Sequence, residues 1–206
     1  MRDYQKETID TYNKHAVSYQ KSRINFLDTE KIDRFISLLS GKHILDIGCG
    51  PGRDSANFVE KGYVVIGIDL TKAFIELAKD TVPKATFKQM DVLDLLFSDN
   101  TFDGIWCNAV LLHLKKDDVR LALSEAFRVL KSGGIMYVSV KKGNSEETIS
   151  DPRLADQKRF FSYIEKREIE NIIADVGFDT IEIYESSVHN TIVLVEWINV
   201  FVKKPL

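Results

Sequence analysis

Short apolar runs alternate along the chain with longer segments in which apolar residues recur every three or four positions. The short runs predict buried strands at 44–47, 63–70, 85–90, 102–108 and 135–140. The longer segments predict helices at 29–40, 53–60, 72–80 and 117–130. A chain that alternates strand and helix in this way is typical of an α/β protein built on a parallel sheet.

The last third of the chain departs from that alternation. Residues 141–162 show no clear period, so we predict a long loop there. A helix is then expected to begin at the capping box Ser162-x-x-Glu165. Two strands follow at 178–187 and 191–203, and their short connection favours antiparallel pairing. The complete pattern predicts a mixed sheet covered by helices on both faces.

The most informative stretch runs from Ile44 to Asp54 and reads I-L-D-I-G-C-G-P-G-R-D. It predicts a buried strand, a glycine turn and a helix start, which is where open α/β sheets bind nucleotides. The glycines let the backbone turn tightly and approach a ligand. Asp46 interrupts the apolar strand, and a carboxylate is costly to bury there unless it meets polar partners. The G-x-G-x-G spacing differs from the G-x-G-x-x-G of NAD enzymes.

Two further acids stand at or just after the ends of later strands. Asp69 ends the second predicted strand, about 20 residues beyond Gly48, where an acid can accept hydrogen bonds from the ribose of a nucleotide. A helix cap is the structural alternative for Asp69, although Thr71 could supply that cap instead. Asp91 follows the third predicted strand and would lie at the same edge of the sheet.

Composition narrows the possible functions. The net charge of −3 provides no global basic field that would attract nucleic acid. The two cysteines and four histidines show neither a metal-ligand spacing nor a disulfide framework, so we expect no metal site. No apolar run reaches about 18 residues, which argues against a membrane span. The start, Met1-Arg2-Asp3-Tyr4, is unlike a signal peptide, so we expect a cytoplasmic protein.

The stretch from Ile44 to Asp54 closely resembles motif I of the class I S-adenosylmethionine (SAM)-dependent methyltransferases. It is most similar to the small-molecule branch that includes the ubiquinone and menaquinone methyltransferase-like proteins. SAM has no phosphate; Asp46 suits its amino group, and backbone N–H groups or Arg53 suit its carboxylate. The resemblance covers nearly the whole chain. It implies one domain, 1–206, with a Rossmann-like sheet of seven strands and an antiparallel seventh strand inserted between the fifth and sixth.

The resemblance also implies particular cofactor contacts. In this family the acid after the third strand and the next backbone N–H hold the adenine, and a carbonyl at the position of Asn108 approaches the sulfonium end. The pattern Y-x-x-x-A-x-x-Y from Tyr12 to Tyr19, followed by Arg23, resembles an N-terminal lid over the methionine end. Tyr19 is the stronger lid candidate, and an amphipathic helix packed on the core is the alternative. The expected cofactor-binding residues are Tyr19, Arg23, Asp46, Gly48, Gly50, Arg53, Asp69, Leu70, Met90, Asp91, Val92 and Asn108.

His113 is the only histidine in a segment that resembles a family motif. It could act as a base or orient the acceptor. The structural alternative is a partly buried ring that anchors its loop by hydrogen bonds. Residues 1–40 are expected to form the lid and a helix, and the predicted loop at 141–162 to build part of the acceptor cavity.

The resemblance therefore implies a methyltransferase that uses SAM, releases S-adenosylhomocysteine and acts on a small molecule as a monomer or homodimer. An RNA methyltransferase is an alternative, because some wobble-uridine tRNA methyltransferases share these motifs. A non-catalytic SAM-binding module is a second alternative. An NAD-dependent Rossmann enzyme is a third, disfavoured by the G-x-G-x-G turn and by Asp91.

Overall fold

The computed structural model describes residues 2–23, 28–151, 157–189 and 194–206. Its helices are α1 (Asp3–Arg23), α2 (Thr29–Leu38), α3 (Arg53–Glu60), α4 (Lys72–Thr81), α5 (Lys116–Val129) and α6 (Lys166–Val176). Its strands are β1 (His43–Ile47), β2 (Val64–Asp69), β3 (Thr86–Gln89), β4 (Phe102–Asn108), β5 (Leu130–Lys141), β6 (Glu146–Asp151), β7 (Gln157–Ser162), β8 (Asp179–His189) and β9 (Leu194–Lys203). A short 3₁₀ turn follows β4 at Leu111–His113.

Seven strands form the main sheet, in the order β3-β2-β1-β4-β5-β9-β8. The first five strands in this order are parallel, whereas β9 runs antiparallel to both of its neighbours, β5 and β8. The predicted α/β fold, a mixed seven-stranded sheet with the last strand inserted antiparallel, is therefore confirmed.

Helices cover both faces of this sheet because its central strands are apolar in consecutive positions. Ile44 packs in a cluster with Ile32 of α2 and Phe58 of α3. The next residue, Leu45, faces the opposite way into the larger core formed with α5 and α6. Trp106 of β4 is fully buried and stacks on Tyr137 of β5 at a ring distance of 4.1 Å. Burial on both faces fixes the register of the strands.

Strand order also determines where a ligand can bind. The chain leaves β1 toward β2 on one side, whereas β4 lies on the other side of β1. Loops after neighbouring strands thus diverge between β1 and β4 and leave a crevice at the carboxyl edge of the sheet. The antiparallel β9 begins at this same edge, with Trp197 paired to Lys141 near the end of β5.

The predicted loop at 141–162 is wrong. Its described part contains β6 and β7, which pair with each other as a separate two-stranded antiparallel sheet. The capping box is also wrong, since Ser162 ends β7 and is buried, and Glu165 flanks α6 without a side-chain capping bond. Short polar strands give a weak periodic signal, and these strands are stabilised by contacts with α1 that the local sequence does not reveal.

The N-terminal segment, expected to be a lid or an amphipathic helix packed on the core, forms the helix α1, which has a kink at His15. Tyr12 and Ala16 are buried against Phe74 of α4. The predicted turn at 188–190 and the start of the last strand at 191–193 lie partly outside the described residues. No helix in the described part of the chain is long and apolar enough to cross a membrane.

Candidate functional site

A cavity of about 970 Å³ opens at the carboxyl edge of the sheet. Pockets that hold one drug-sized ligand measure roughly 300–1,000 Å³, so this cavity has room for a cofactor and a small acceptor. We call the part formed by the ends of β1, β2 and β3 the cofactor half. The part formed by the ends of β4 and β5, the start of β9, and the walls from α1 and β7 is the acceptor half.

The glycine turn after β1 has the left-handed backbone that favours glycine, with φ of +65° at Gly48, +52° at Gly50 and +90° at Gly52. A Cβ at Gly48 would collide with the side chain of Val110 in the loop after β4. A Cβ at Gly50 would meet nothing within 4 Å. Gly48 thus allows close packing of two loops, whereas Gly50 provides the backbone conformation and lines the cavity.

Asp69 connects the glycine turn to the start of α4. One carboxylate oxygen accepts the Gly50 N–H at 3.1 Å and the other accepts the Thr71 N–H at 2.7 Å. Burial raises the pKa of Asp69, and the bonds from Thr71 and Gly50 oppose that rise. Asp69 and Leu70 both line the cavity. The carboxylate therefore serves as a local cap and also faces the ligand site.

A pair of buried acids lies beneath the turn. Asp54 accepts hydrogen bonds from Arg53 at 2.7 Å, from the Trp106 indole at 2.9 Å and from the Asn108 amide at 3.1 Å. Burial raises the pKa of Asp54, but Arg53 and the N–H donors outweigh burial and lower it overall. Asp46 accepts only a hydroxyl bond in this structure, from Ser55 at 2.6 Å.

The two acids consequently differ in charge. Burial and the neighbouring Asp54 charge raise the pKa of Asp46 to about 8. Asp46 is thus largely protonated at neutral pH, whereas Asp54 is ionised. A ligand ammonium group placed beside Asp46 would favour its ionised form. The expected amino-group contact is chemically suitable and would be coupled to loss of a proton.

Asn108 has a different role from the expected backbone contact. Its side-chain amide donates to Asp54, and its side-chain oxygen accepts the Ser139 hydroxyl at 2.8 Å. The residue lines the cavity where β4 and β5 end. It therefore links the buried acids to the floor of the acceptor half, while its expected carbonyl contact stays a prediction.

Of the residues expected to contact the adenine, only some line the cavity. Met90 and Val92 line the cavity, but Asp91 is absent from the described residues that line it. One Asp91 carboxylate oxygen accepts the Leu93 N–H at 3.1 Å, as a local turn does. The assignment of Asp91 to the adenine amino group stays a prediction.

The two tyrosines expected in the lid belong to an aromatic cluster that lines the cavity. Tyr19 lies 5.2 Å from Tyr12 and 5.2 Å from Phe74, measured between ring centres. All three line the cavity. Arg23 is the last residue of α1, and its side chain lies outside the described residues.

His113 is held on both ring nitrogens. Nδ1 lies 2.8 Å from the Phe160 carbonyl, which can only accept, so Nδ1 carries the hydrogen. Nε2 therefore accepts the Tyr12 hydroxyl at 3.0 Å, and that hydroxyl accepts from Arg159 at 2.6 Å. Burial lowers the pKa of His113 to about 3, and the nearby Arg159 and Lys141 charges add to the effect. The ring is neutral and belongs to a clasp between α1 and β7.

Further bonds strengthen this clasp, which we define as Thr8, Thr11 and Tyr12 of α1 with the β7 segment 158–160. The Thr8 hydroxyl accepts the Phe160 N–H at 2.9 Å. The Thr11 hydroxyl donates to the Lys158 carbonyl at 2.9 Å. The weaker lid candidate, Tyr12, is thus the residue that joins the lid to the acceptor wall.

Sequence reasoning missed most of the acceptor half, whose lining includes Ser139, Lys141, Arg159, Trp197 and Asn199. Lys141 and Arg159 were expected there only as part of the predicted loop at 141–162. The cross-strand register reveals the others, because Ser139 pairs with Asn199 and Lys141 with Trp197. In the described part of the chain, no three His, Cys, Asp or Glu side chains converge on a point that could hold a metal.

Residues 45–138 match the family model described as a methyltransferase domain. One relative, the protein of Bacillus subtilis (strain 168) named as the methyltransferase YqeM, is 34% identical over 134 residues. The match covers 62% of this chain and 54% of that protein. The demethylmenaquinone methyltransferase of Symbiobacterium thermophilum is 35% identical over 104 residues, which are 46% of this chain and 40% of that protein. The chain thus spans about half the length of these curated relatives or less.

The fold matches a solved structure over most of the length of both chains. A SAM-dependent methyltransferase from Methanosarcina mazei superposes with a TM-score of 0.76 at 23% identity, covering 85% of this chain and 97% of that chain. This likeness concerns the fold, while the matched domain contains the glycine turn, Asp69 and the loop after β4. Residues 45–138 thus match a methyltransferase domain, and the fold is the one found in SAM-dependent methyltransferases.

Proposed function

We propose that this protein transfers the methyl group of SAM to a small-molecule acceptor. One observation carries the proposal: Asp46, the Gly50 turn and Asp69 line one end of a cavity that continues into a second, differently built half. The first half suits an adenosyl and amino-acid ligand. The second leaves space for a partner molecule beside it.

The residues that line the cofactor half are chemically suited to SAM. Asp69 already directs one carboxylate oxygen at Gly50 and would accept the ribose hydroxyls with its remaining lone pairs. Asp46 would hold the amino group, and Arg53, which lines the cavity, would face the carboxylate. Tyr19 and Tyr12 would cover the methionine end.

When bound, SAM supplies an electrophilic methyl group on a good leaving group. The protein then has to hold the acceptor atom in line with that methyl and to exclude water. Positioning of this kind can supply roughly 7–11 kcal/mol of the barrier. The clasp of α1 on β7 closes the wall beside both halves, which is the arrangement such positioning requires.

A small molecule suits the acceptor half better than RNA. The half is a recess behind α1 and β7, and the chain carries a net charge of −3. Polyanion binding depends on many basic phosphate contacts. The Symbiobacterium relative is named for a small molecule, demethylmenaquinone, which supports the same choice.

His113 is then a positioning residue. A base needs a free lone pair within reach of the acceptor proton, and Nε2 of His113 is engaged by Tyr12. The methyl-transfer reaction needs a base only if the acceptor must lose a proton.

Calorimetry tests the cofactor part of the proposal. SAM and S-adenosylhomocysteine should both bind, and NAD should bind much more weakly. Preferential binding of NAD would reject the assignment. Transfer from radiolabelled SAM should then label small molecules of a cell extract; labelling of the tRNA fraction alone would reverse the choice of acceptor.

A further inference from the structure

The start of β9 and the end of β5 present one set of side chains to the acceptor half. Directly paired residues of antiparallel strands point to the same face, and so do residues two apart. The pairs Ser139–Asn199 and Lys141–Trp197, with Val195 two positions before Trp197, therefore form one surface. All five line the cavity. We call them the acceptor platform.

The platform changes character along its length. Its inner end is polar, since Ser139 donates to Asn108 and Asn199 accepts the Tyr137 hydroxyl at 2.8 Å. Its outer end is a flat indole beside two valines, Val195 and its cross-strand partner Val188. An apolar ring is the group that such an outer end would bury.

Two cations, Lys141 and Arg159, lie against Phe161 in the wall of the same acceptor half. The Lys141 ammonium lies 3.9 Å from the centre of the Phe161 ring, and the Arg159 guanidinium carbon lies 4.9 Å from the same centre. Phe161, Lys141 and Arg159 all line the cavity. A group next to this ring therefore experiences both positive charges, and the buried position of Arg159 strengthens its field.

Two acids at the start of α2, Asp28 and Glu30, also line the cavity, and Asp28 pairs with Lys31 at 2.8 Å. Glu185 and Glu196 both approach Lys142, at 2.7 and 3.5 Å. Asp46, Asp54 and Asp69 belong to the cofactor half, together with Arg53. The described wall of the acceptor half beside Phe161 thus carries the cations Lys141 and Arg159.

We propose that the acceptor is a planar aromatic acid whose ring lies on Trp197 and whose anionic group faces Lys141 and Arg159. This inference rests on the proposed function, because it assumes that the cofactor occupies the other half. The anionic group is a carboxylate or an acidic ring hydroxyl. The acceptor needs an apolar ring to pack on the Trp197 indole of the platform. It needs a negative charge to interact with Lys141 and Arg159.

Matched acid and amide probes test the proposal on protein saturated with S-adenosylhomocysteine. The probes are benzoate with benzamide and 2-naphthoate with 2-naphthamide, measured by calorimetry. Each acid should bind at least about tenfold more tightly than its neutral amide, as a charge-assisted hydrogen bond requires. Equal affinity, or no binding, within both pairs would overturn the proposal.

Variants locate the effect. Lys141→Met should bring the acid-to-amide ratio close to one, and Lys141→Arg should keep it. Lys142→Met is the control, because Lys142 is paired with Glu185 and is absent from the described cavity lining. An equal loss in Lys142→Met would assign the preference to general charge and overturn the placement.

Trp197→Ala should weaken acid and amide alike, by roughly tenfold for the naphthyl pair, since it removes a ring contact and no charge. Unchanged naphthyl binding would overturn the ring placement. All variants should bind S-adenosylhomocysteine within about twofold of the unaltered protein, because the platform lies outside the cofactor half. Failure of the unaltered protein to bind S-adenosylhomocysteine would instead reject the proposed function.

Discussion

The cofactor half and the acceptor half of the cavity are assembled in different ways. In the cofactor half, Asp46, Gly50 and Asp69 all come from the β1–turn–α3–β2 stretch, and Asp69 accepts an N–H from Gly50, 19 positions away. In the acceptor half, Arg159 donates to Tyr12 across 147 positions of sequence. Ser139 and Lys141 meet Asn199 and Trp197 through an antiparallel pairing.

The two halves also differ in charge. Asp46, Asp54 and Asp69 line the cofactor half together with Arg53, whereas Lys141 and Arg159 line the acceptor half. The cofactor half can therefore be recognised from one local sequence motif. The acceptor half depends instead on which distant segments the fold brings to the carboxyl edge of the sheet.

The largest effect is expected from Asp69→Ala in the cofactor half. Loss of a charged acceptor for two ribose hydroxyls should raise the Kd for S-adenosylhomocysteine by roughly 100-fold or more. Calorimetry measures the change. The acceptor-half variant Trp197→Ala is the control, and an equal loss of affinity there would erase the distinction between the halves.

Asp91→Ala sharpens the same measurement. We expect a smaller loss than in Asp69→Ala, about tenfold, because only one hydrogen bond to the adenine amino group is removed. The variant should also discriminate less between S-adenosylhomocysteine and its deamino analogue. Full discrimination in Asp91→Ala would make this residue a turn cap, as its bond to Leu93 suggests.

Proton release tests the charge of the cofactor half. Because the pKa of Asp46 is raised to about 8, ligand binding at pH 7 should release close to one proton. Affinity should accordingly rise by roughly tenfold between pH 6 and 7. Calorimetry in buffers of different ionisation enthalpy counts the protons. In Asp46→Asn the ligand amino group still titrates, but the proton that Asp46 releases on binding should be lost. Equal proton release in both proteins would contradict a protonated Asp46 in the free protein.

Arg159→Met tests whether the clasp connects the halves. Removal of the charged bond to Tyr12 should loosen α1 and weaken S-adenosylhomocysteine binding by about five- to tenfold. Hydrogen exchange of α1 amides should accelerate. Lys158→Met is the matched control, since it removes a positive charge from the same strand at an exposed position. Unchanged exchange in Arg159→Met would show that the other clasp bonds suffice.

A separate effect, on stability, concerns His113. Its pKa is lowered from the ordinary value of 6.5 to about 3. The stability that the neutral ring contributes is therefore fully present above pH 6.5 and is lost as the pH falls toward 3. His113→Gln cannot titrate. Between pH 7 and 4 the free energy of unfolding should therefore fall by about 3 kcal/mol more in the unaltered protein than in the variant. Parallel curves from urea unfolding would contradict a buried neutral ring.

Much of the fold could be predicted because the central strands are buried on both faces. The apolar runs at 44–47 and 102–108 correspond to β1 and β4, whose residues pack against helices on either side. The hairpin of β6 and β7 was missed for the opposite reason. Its strands carry polar residues such as Thr148, Ser150 and Lys158, and β7 packs against the distant helix α1, a contact that no local pattern reveals.

The residues of the acceptor half could not be predicted either, because contacts between distant segments bring them together. Trp197 and Asn199 look like ordinary strand residues until the register sets them beside Lys141 and Ser139. Arg159 belonged to the predicted loop at 141–162, and only β7 places its side chain, buried, against Tyr12. His113 was identified from its motif segment, but only the contacts of both ring nitrogens reveal its neutral, anchored state.

The sequence by itself determined the α/β fold, the position of the glycine turn and the acids Asp46 and Asp69 beside it. These features depend on short-range patterns, because strand burial and a tight turn are properties of neighbouring residues. Only the tertiary structure decided how α1 clasps β7, how Asp46 and Asp54 come to differ in charge, and which side chains form the acceptor platform. Those properties depend on burial and on contacts between distant segments, which no local pattern encodes.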